Sequence, residues 1–258
     1  IALMFVLAAL SAGPCFGQTS ERTFGGDVRF LAQHTEVVVL GDDAGPQLVV
    51  VPAYQGRVMT SAARGRDGTS FGWINDEQVA AGVDPQAQIN VFGGEERIWL
   101  GPEAGQYGIF FPPGAEFEFA NWQTPPAIDQ AAYEVVDSNN EDRGQFIDLR
   151  HTATFTNYSA AEFEVQIDRR IELLTPEEAA QSLGVDAQGL DLVGYRTTNR
   201  LTNRGENAWR KETGLLSIWI LGMYKHGPET TAVIPFRKGL VEQLGPIVND
   251  DYFGEVSA

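Results

Sequence analysis

Between Asn90 and Phe111 the chain reads NVFGGEERIWLGPEAGQYGIFF, which places Glu95, Glu96, Arg97, Trp99 and Glu103 within nine residues. Three carboxylates, a guanidinium and an indole at that spacing suit a sugar site. Planar acids and an arginine fork hold hydroxyls in two-point contacts, and an indole covers the apolar face of a pyranose ring. In extended chain Glu95, Arg97 and Trp99 share one face, and Glu96, Ile98 and Leu100 share the other. Gly93 and Gly94 permit a backbone conformation or close approach that a Cβ would block. The expectation is that Arg97 lies between Glu96 and Glu103, fixing both carboxylates for a sugar hydroxyl, because unpaired charge is costly in a core. The competing reading is a strand with a solvated charged face beside a packed tryptophan. Just upstream, GWIN offers Trp73 as a stacking plane next to the amide of Asn75.

Acid–base work on a sugar needs two titratable groups on opposite sides of the anomeric centre, and the candidates are Glu96, Glu103 and His151. The three histidines, His34, His151 and His226, stand far apart, with no second histidine at helical or strand spacing, so nearby sequence supplies no zinc ligand set. His151, within the strand-like DLRHTATF, is the one best placed for catalysis. The acidic stretches Asp42-Asp43, Asn139 to Asp142 and Asp250-Asp251 read as solvated turns. No phosphate loop, dinucleotide fingerprint or Ser-His-Asp order signature occurs, so the expectation is no cofactor and no metal.

The elements that must position these groups read as β-strands. Glu36 to Leu40, Gln47 to Val51 and Val58 to Ala62 are apolar, β-branched runs separated by the turns GDDAG and RGRDG, and Phe71 to Ile74 is a fourth short strand. Longer strands follow at Phe146 to Phe155, Phe163 to Leu174, Thr197 to Thr202 and Leu215 to Tyr224, joined by turns such as TNYSA and NRGEN. One helix is expected, Thr175 to Leu183: Thr175 is the N-cap, Pro176 the first helical residue, Glu177 and Glu178 face the positive end of the dipole, and Gly184 stops it. The predicted architecture is all-β, a large antiparallel sandwich with a concave face and helix below about 15 percent.

A formal charge of −17 argues against nucleic acid or anionic membrane as partner and favours a neutral or cationic ligand. Fifteen Phe, seven Tyr and five Trp with 13 Pro and 28 Gly fit a turn-rich sandwich better than a helical bundle. Residues 1–20, IALMFVLAALSAGPCFGQTS, read as the apolar and cleavage regions of a secretory signal, with removal near Gly17 and a periplasmic or extracellular product. Roughly 20 apolar residues are needed to span a bilayer, and no stretch reaches that. The single cysteine, Cys15, lies inside the signal, where Pro14 departs from the small residue that precedes an acylated cysteine. Residues 21–258 are then one β domain, with further residues expected at both ends and the C-terminal part of the fold missing.

The string GGEERIWLGPE resembles the Gly-Gly, acidic or polar, Trp or Phe, Pro signature of the galactose mutarotase-like superfamily, and is similar in particular to exported bacterial domains of that group. VVVPAYQGRVMTSAA resembles the opening strand pair of that fold, and LTNRGENAW with SIWILGMY its later turn and aromatic strand. The resemblance covers roughly Val49 to Pro235 and implies a small or oligomeric saccharide ligand and, where the catalytic pair is complete, sugar epimerisation; the alternatives are a non-catalytic carbohydrate-binding domain and a scaffold domain. In the matching strand the family's histidine is replaced by Ser217 and its aromatic is Trp219. Serine is no acid or base near neutral pH without an activating neighbour.

Overall fold

The computed structural model describes residues 22–82, 86, 88–139, 145–186, 188–228, 230–234 and 236–247. The expected signal at 1–20, the acidic run at 140–142, and Asp250-Asp251 lie outside them. In chain order the described elements are α1 (Phe24–His34), β1 (Val38–Gly41), β2 (Gln47–Val51), β3 (Arg57–Ala62), α2 (Asp76–Ala81), β4 (Arg97–Gly101), β5 (Glu134–Asn139), β6 (Phe146–Thr156), β7 (Glu162–Leu174), α3 (Pro176–Leu183), β8 (Gly194–Asn203), β9 (Ser217–Leu221) and α4 (Val241–Leu244), with short 3-10 turns between.

The fold is an all-β sandwich of antiparallel sheets: β1-β2-β3, β4-β9 and β5-β6-β7-β8. Val58 and Glu96 exchange backbone hydrogen bonds of 3.1 and 3.3 Å, which carries the first sheet on into β4 and β9. Opposite lies the four-stranded sheet. Leu48, Val50, Val58, Ile98 and Leu100 from the first layer share one core with Ile147, Leu149, Val165, Ile167 and Ile171 from β6 and β7.

β2 and β3 are buried at every position, although a sheet with one wet face would alternate. The reason is a second core on the other face. There Val49, Val51, Met59 and Ala62 pack with Phe24, Val28 and Leu31 of α1 and with Val79 of α2. The i, i+4, i+7 spacing of Phe24, Val28 and Leu31 gives α1 its apolar stripe. Its N-cap, Thr23, accepts from the Gly26 amide at 3.3 Å, and Asp27 stands in the first turn. Sequence reading missed this helix because Gly25 and Gly26 depress its propensity.

α3 forms where expected: Thr175 and Glu178 make a reciprocal capping box, and Gly184 closes the helix with φ 66°. The additional helices α1, α2 and α4, with the 3-10 turns, bring helix to 19% against 35% strand among the described residues, above the expected helix share. Phe71 to Ile74 is no regular strand; Gly72 and Ile74 make only isolated bridges, to Tyr224 and Gly93.

The chain divides into two compact units, Ile1–Lys225 and His226–Ala258. The second contains α4, and its Val233 and Ile234 are 82% and 83% exposed. Among the described residues no helix is long and apolar enough to cross a membrane.

Candidate functional site

Gly93 and Gly94 have φ of 88° and 109°. A Cβ on Gly93 would lie 2.2 Å from the Trp73 carbonyl oxygen, and one on Gly94 2.6 Å from Cδ of Arg57. The pair lets this segment pack close against its neighbours, and the three residues directly after it are buried: Glu95, Glu96 and Arg97 are 2%, 5% and 1% exposed.

Arg97 does not lie between Glu96 and Glu103. Its Nη2 donates to Asp129 Oδ1 and to the Ile128 carbonyl, each at 2.9 Å, and its guanidinium lies 4.3 Å over the Trp99 ring. Asp129 also accepts from the Asn90 backbone and amide. Burial lowers the Arg97 pKa to about 10, with Asp129 opposing the shift. Glu96, on the other face of β4, is ion-paired with Arg169 of β7 and accepts from Thr197 Oγ1 of β8 at 3.2 Å; Arg169 donates to Asn199 at 2.7 Å. Both charges are therefore core rivets, one joining the sheets and one anchoring the turn at 126–131. The expectation that core burial would exclude them fails because every charge brought a partner.

The partners of Glu96 were visible as anomalies of pattern. Inward positions of β7 run Phe163, Val165, Ile167, Arg169, Ile171, so an arginine interrupts a buried apolar series. On β8 the polar Thr197 and Asn199 interrupt likewise, between Tyr195 and Leu201.

The remaining residues of the segment do form a rim. Trp99 pairs directly across the ladder with Trp219, the rings edge-on at 5.9 Å, and Gly101 pairs with Ser217. The Trp99 indole donates to Glu103 Oε1 at 2.8 Å. Behind Trp99 an aromatic series continues through Phe110 at 5.4 Å and Trp122 at 5.2 Å. Trp219 and Glu103 are half-buried and Ser217 is exposed. Nearby, the Tyr107 hydroxyl donates to the Glu212 carbonyl at 3.0 Å, joining the loops that flank the rim. Trp99 itself is buried, at 3% exposure, so the partly open edge consists of the Trp219 indole, the Glu103 carboxylate and the Ser217 hydroxyl.

The other expected site residues lie elsewhere. His151 stacks on Tyr133 with centroids 5.0 Å apart, and burial lowers its pKa while a bond with the Ala132 backbone opposes the shift. Glu96, Glu103 and His151 are thus engaged by different partners: Arg169, Trp99 and Tyr133. Asn75 uses its side chain as the N-cap of α2, accepting from the Gln78 amide at 3.2 Å, while Trp73 beside it is 39% exposed.

A buried acid that sequence reasoning left without a role is Glu95. It accepts from the Ser61 amide at 2.6 Å and from the Ser61 hydroxyl, and Tyr195 approaches it at 3.4 Å with Tyr224 a further 3.3 Å on. Burial raises the pKa of Glu95 against the pull of these donors, and raises that of Tyr195 well above the usual phenol range.

A β-sandwich with an aromatic and carboxylate rim on its β4–β9 ladder is the class this geometry defines. The chain belongs to a family of unknown function, DUF6786, which it matches over residues 22–258. No curated protein matches it. Among solved structures it is similar to the crystal structure of the Slr1438 protein from Synechocystis sp. PCC 6803, at 20% identity and a TM-score of 0.35, over 54% of this chain and 45% of that one. The chain thus spans less than half the length of that protein. These matches establish the DUF6786 family and not a mutarotase-like assignment.

Proposed function

We propose that this chain is an exported, non-catalytic saccharide-binding domain of mutarotase-like kind, whose ligand lies on the rim of Trp219, Glu103 and Ser217, with the buried Trp99 supporting it from behind. The observation that carries the reading is the pairing of Trp99 with Trp219 across the ladder while the Trp99 indole fixes Glu103. A half-buried indole with a held carboxylate matches a neutral sugar, which presents one apolar face and a ring of hydroxyls. The charge of −17 favours a neutral ligand over an anionic one.

Binding without catalysis is preferred over epimerisation because Ser217 stands opposite Gly101, where the resemblance calls for a histidine. A hydroxyl supplies a contact but no proton at neutral pH. Export rests on the character of residues 1–20 and places the binding in the periplasm or outside the cell.

A glycan screen followed by calorimetry on the full chain tests the reading, with exchange NMR on α and β anomers alongside. Saturable binding of a neutral saccharide without accelerated anomer exchange is the expected result. Accelerated exchange converts the assignment to a mutarotase, and absence of any saccharide binding removes it.

A further inference from the structure

We infer that this chain associates with further copies of itself head to tail, the edge strand β8 of one copy taking up the edge strand β5 of the next. β5 and β8 are the outer strands of the sheet β5-β6-β7-β8, and among the described residues no further strand pairs with either. Open strand edges invite an added strand, and folds commonly blunt them with charge. Here the two edges carry opposite signs. β5 presents Glu134 and Asp137, both exposed, and a register shift between Val135 and Asp137 keeps both on the outward face, opposite Arg150 and Asp148. β8 presents Arg196 and Arg200 on the same face, both exposed, and has no acid from Gly194 to Asn203.

One row across the sheet carries the fit. Glu134 pairs with Arg150, Arg150 with Asp168 and Asp168 with Arg200, so charge alternates from a negative first strand to a positive last one. The ion pairs of this face join Arg150 to Asp168, Arg170 to Asp148 and Arg196 to Glu172, and leave Glu134, Asp137 and Arg200 without one among the described residues. Neighbouring strands of the sheet are antiparallel throughout, so a copy that continues it lays its β5 antiparallel to β8. In the register that continues the row, Glu134 of that copy stands beside Arg200, and Asp137 falls diagonal to Arg196 and Arg200, within reach of long side chains. Within its own chain Asp137 faces a like charge, Asp148, an arrangement that an added arginine relieves. Pairing β5 with β5 would set acids against acids, and β8 with β8 arginines against arginines, so the charges select the unlike edges. Main-chain hydrogen bonds supply the affinity, and Val135 and Val136, 40% and 48% exposed, gain cover. Because the two surfaces differ, the contact does not stop at a two-fold dimer but closes a ring or extends.

The test is sedimentation velocity on the full chain over a range of concentration, in low and in high salt. In low salt the average mass rises with concentration past two copies of the 28.2 kDa chain, and high salt, which screens exposed pairs, returns it toward one copy. Arg200→Glu and Glu134→Arg change exposed side chains away from the Trp219 rim, and each variant alone keeps its circular dichroism and sediments as a monomer. Mixed one to one they assemble again, because each edge of one variant then meets an edge of opposite sign on the other. A monomer at every concentration, single variants that associate as the wild type does, or a mixture that stays monomeric overturns the inference.

Discussion

The two halves of the segment from Glu95 to Glu103 have similar chemistry and opposite fates. Glu95, Glu96 and Arg97 are taken into the interior and met there by Ser61, Arg169 and Asp129. Trp219 and Glu103 end at a partly open edge, where the buried Trp99 indole holds the Glu103 carboxylate beside an exposed serine. Charge and aromaticity in a short stretch therefore do not by themselves mark a ligand site. What decides is whether the rest of the fold delivers a partner for each group.

The sharpest way to break the comparison is to remove a rivet. Glu96→Ala leaves Arg169 buried without its counterion, and losing one partner of a buried pair costs about 3–5 kcal/mol. A fall in Tm of about 10 °C is expected, at about 2–4 °C per kcal/mol for a protein of this size. A fall of only a degree or two would mean that the pair does not join the sheets.

Arg97→Lys keeps the charge and loses the planar fork that serves Asp129, the Ile128 carbonyl and the Trp99 face at once. A loss of about 1–3 kcal/mol is expected from chemical denaturation, the range for a buried donor left unmet. An unchanged midpoint and slope would show that a point charge suffices there.

A smaller effect sharpens the interior half. The folded-state pKa of Glu95 is raised by burial. The folded protein then binds the proton more tightly than the unfolded chain, so stability is fullest below the ordinary glutamate value and declines as pH rises through the raised one. Glu95→Gln removes that decline, and its advantage over wild type grows with pH. Parallel stability profiles for the two proteins would contradict the assignment.

Much of the fold was legible because strands of this kind carry their own punctuation. β2, β6, β7 and α3 fall within a residue or so of the expected positions, where β-branched runs meet polar turns and where Thr175 and Gly184 bracket a helix. α1 was not legible, since two glycines mask a helix whose stability comes from the sheet it covers. The continuous burial of Gln47–Val51 was in fact its trace, because an apolar run without alternation needs a cover on both faces. Within the site, Trp99 and Glu103 could be read from spacing, and Ser217 and Trp219 from the resemblance. Asp129 and Arg169 lie 32 and 73 residues away from their partners, and only a break in an apolar pattern announced the second.

The most direct measurement of the central claim is saccharide affinity by calorimetry for Glu103→Gln and Trp219→Ala beside the wild-type protein, with Tm recorded for each. Glutamine keeps an acceptor for the Trp99 indole while removing the charge offered to a sugar hydroxyl, so the account predicts a retained Tm. Affinity should be weaker by about tenfold or more, the equivalent of one charged hydrogen bond. Trp219→Ala should lose the stacking face and weaken binding at least as much. Full affinity in both variants, with the fold intact, would contradict the placement of the ligand on this rim.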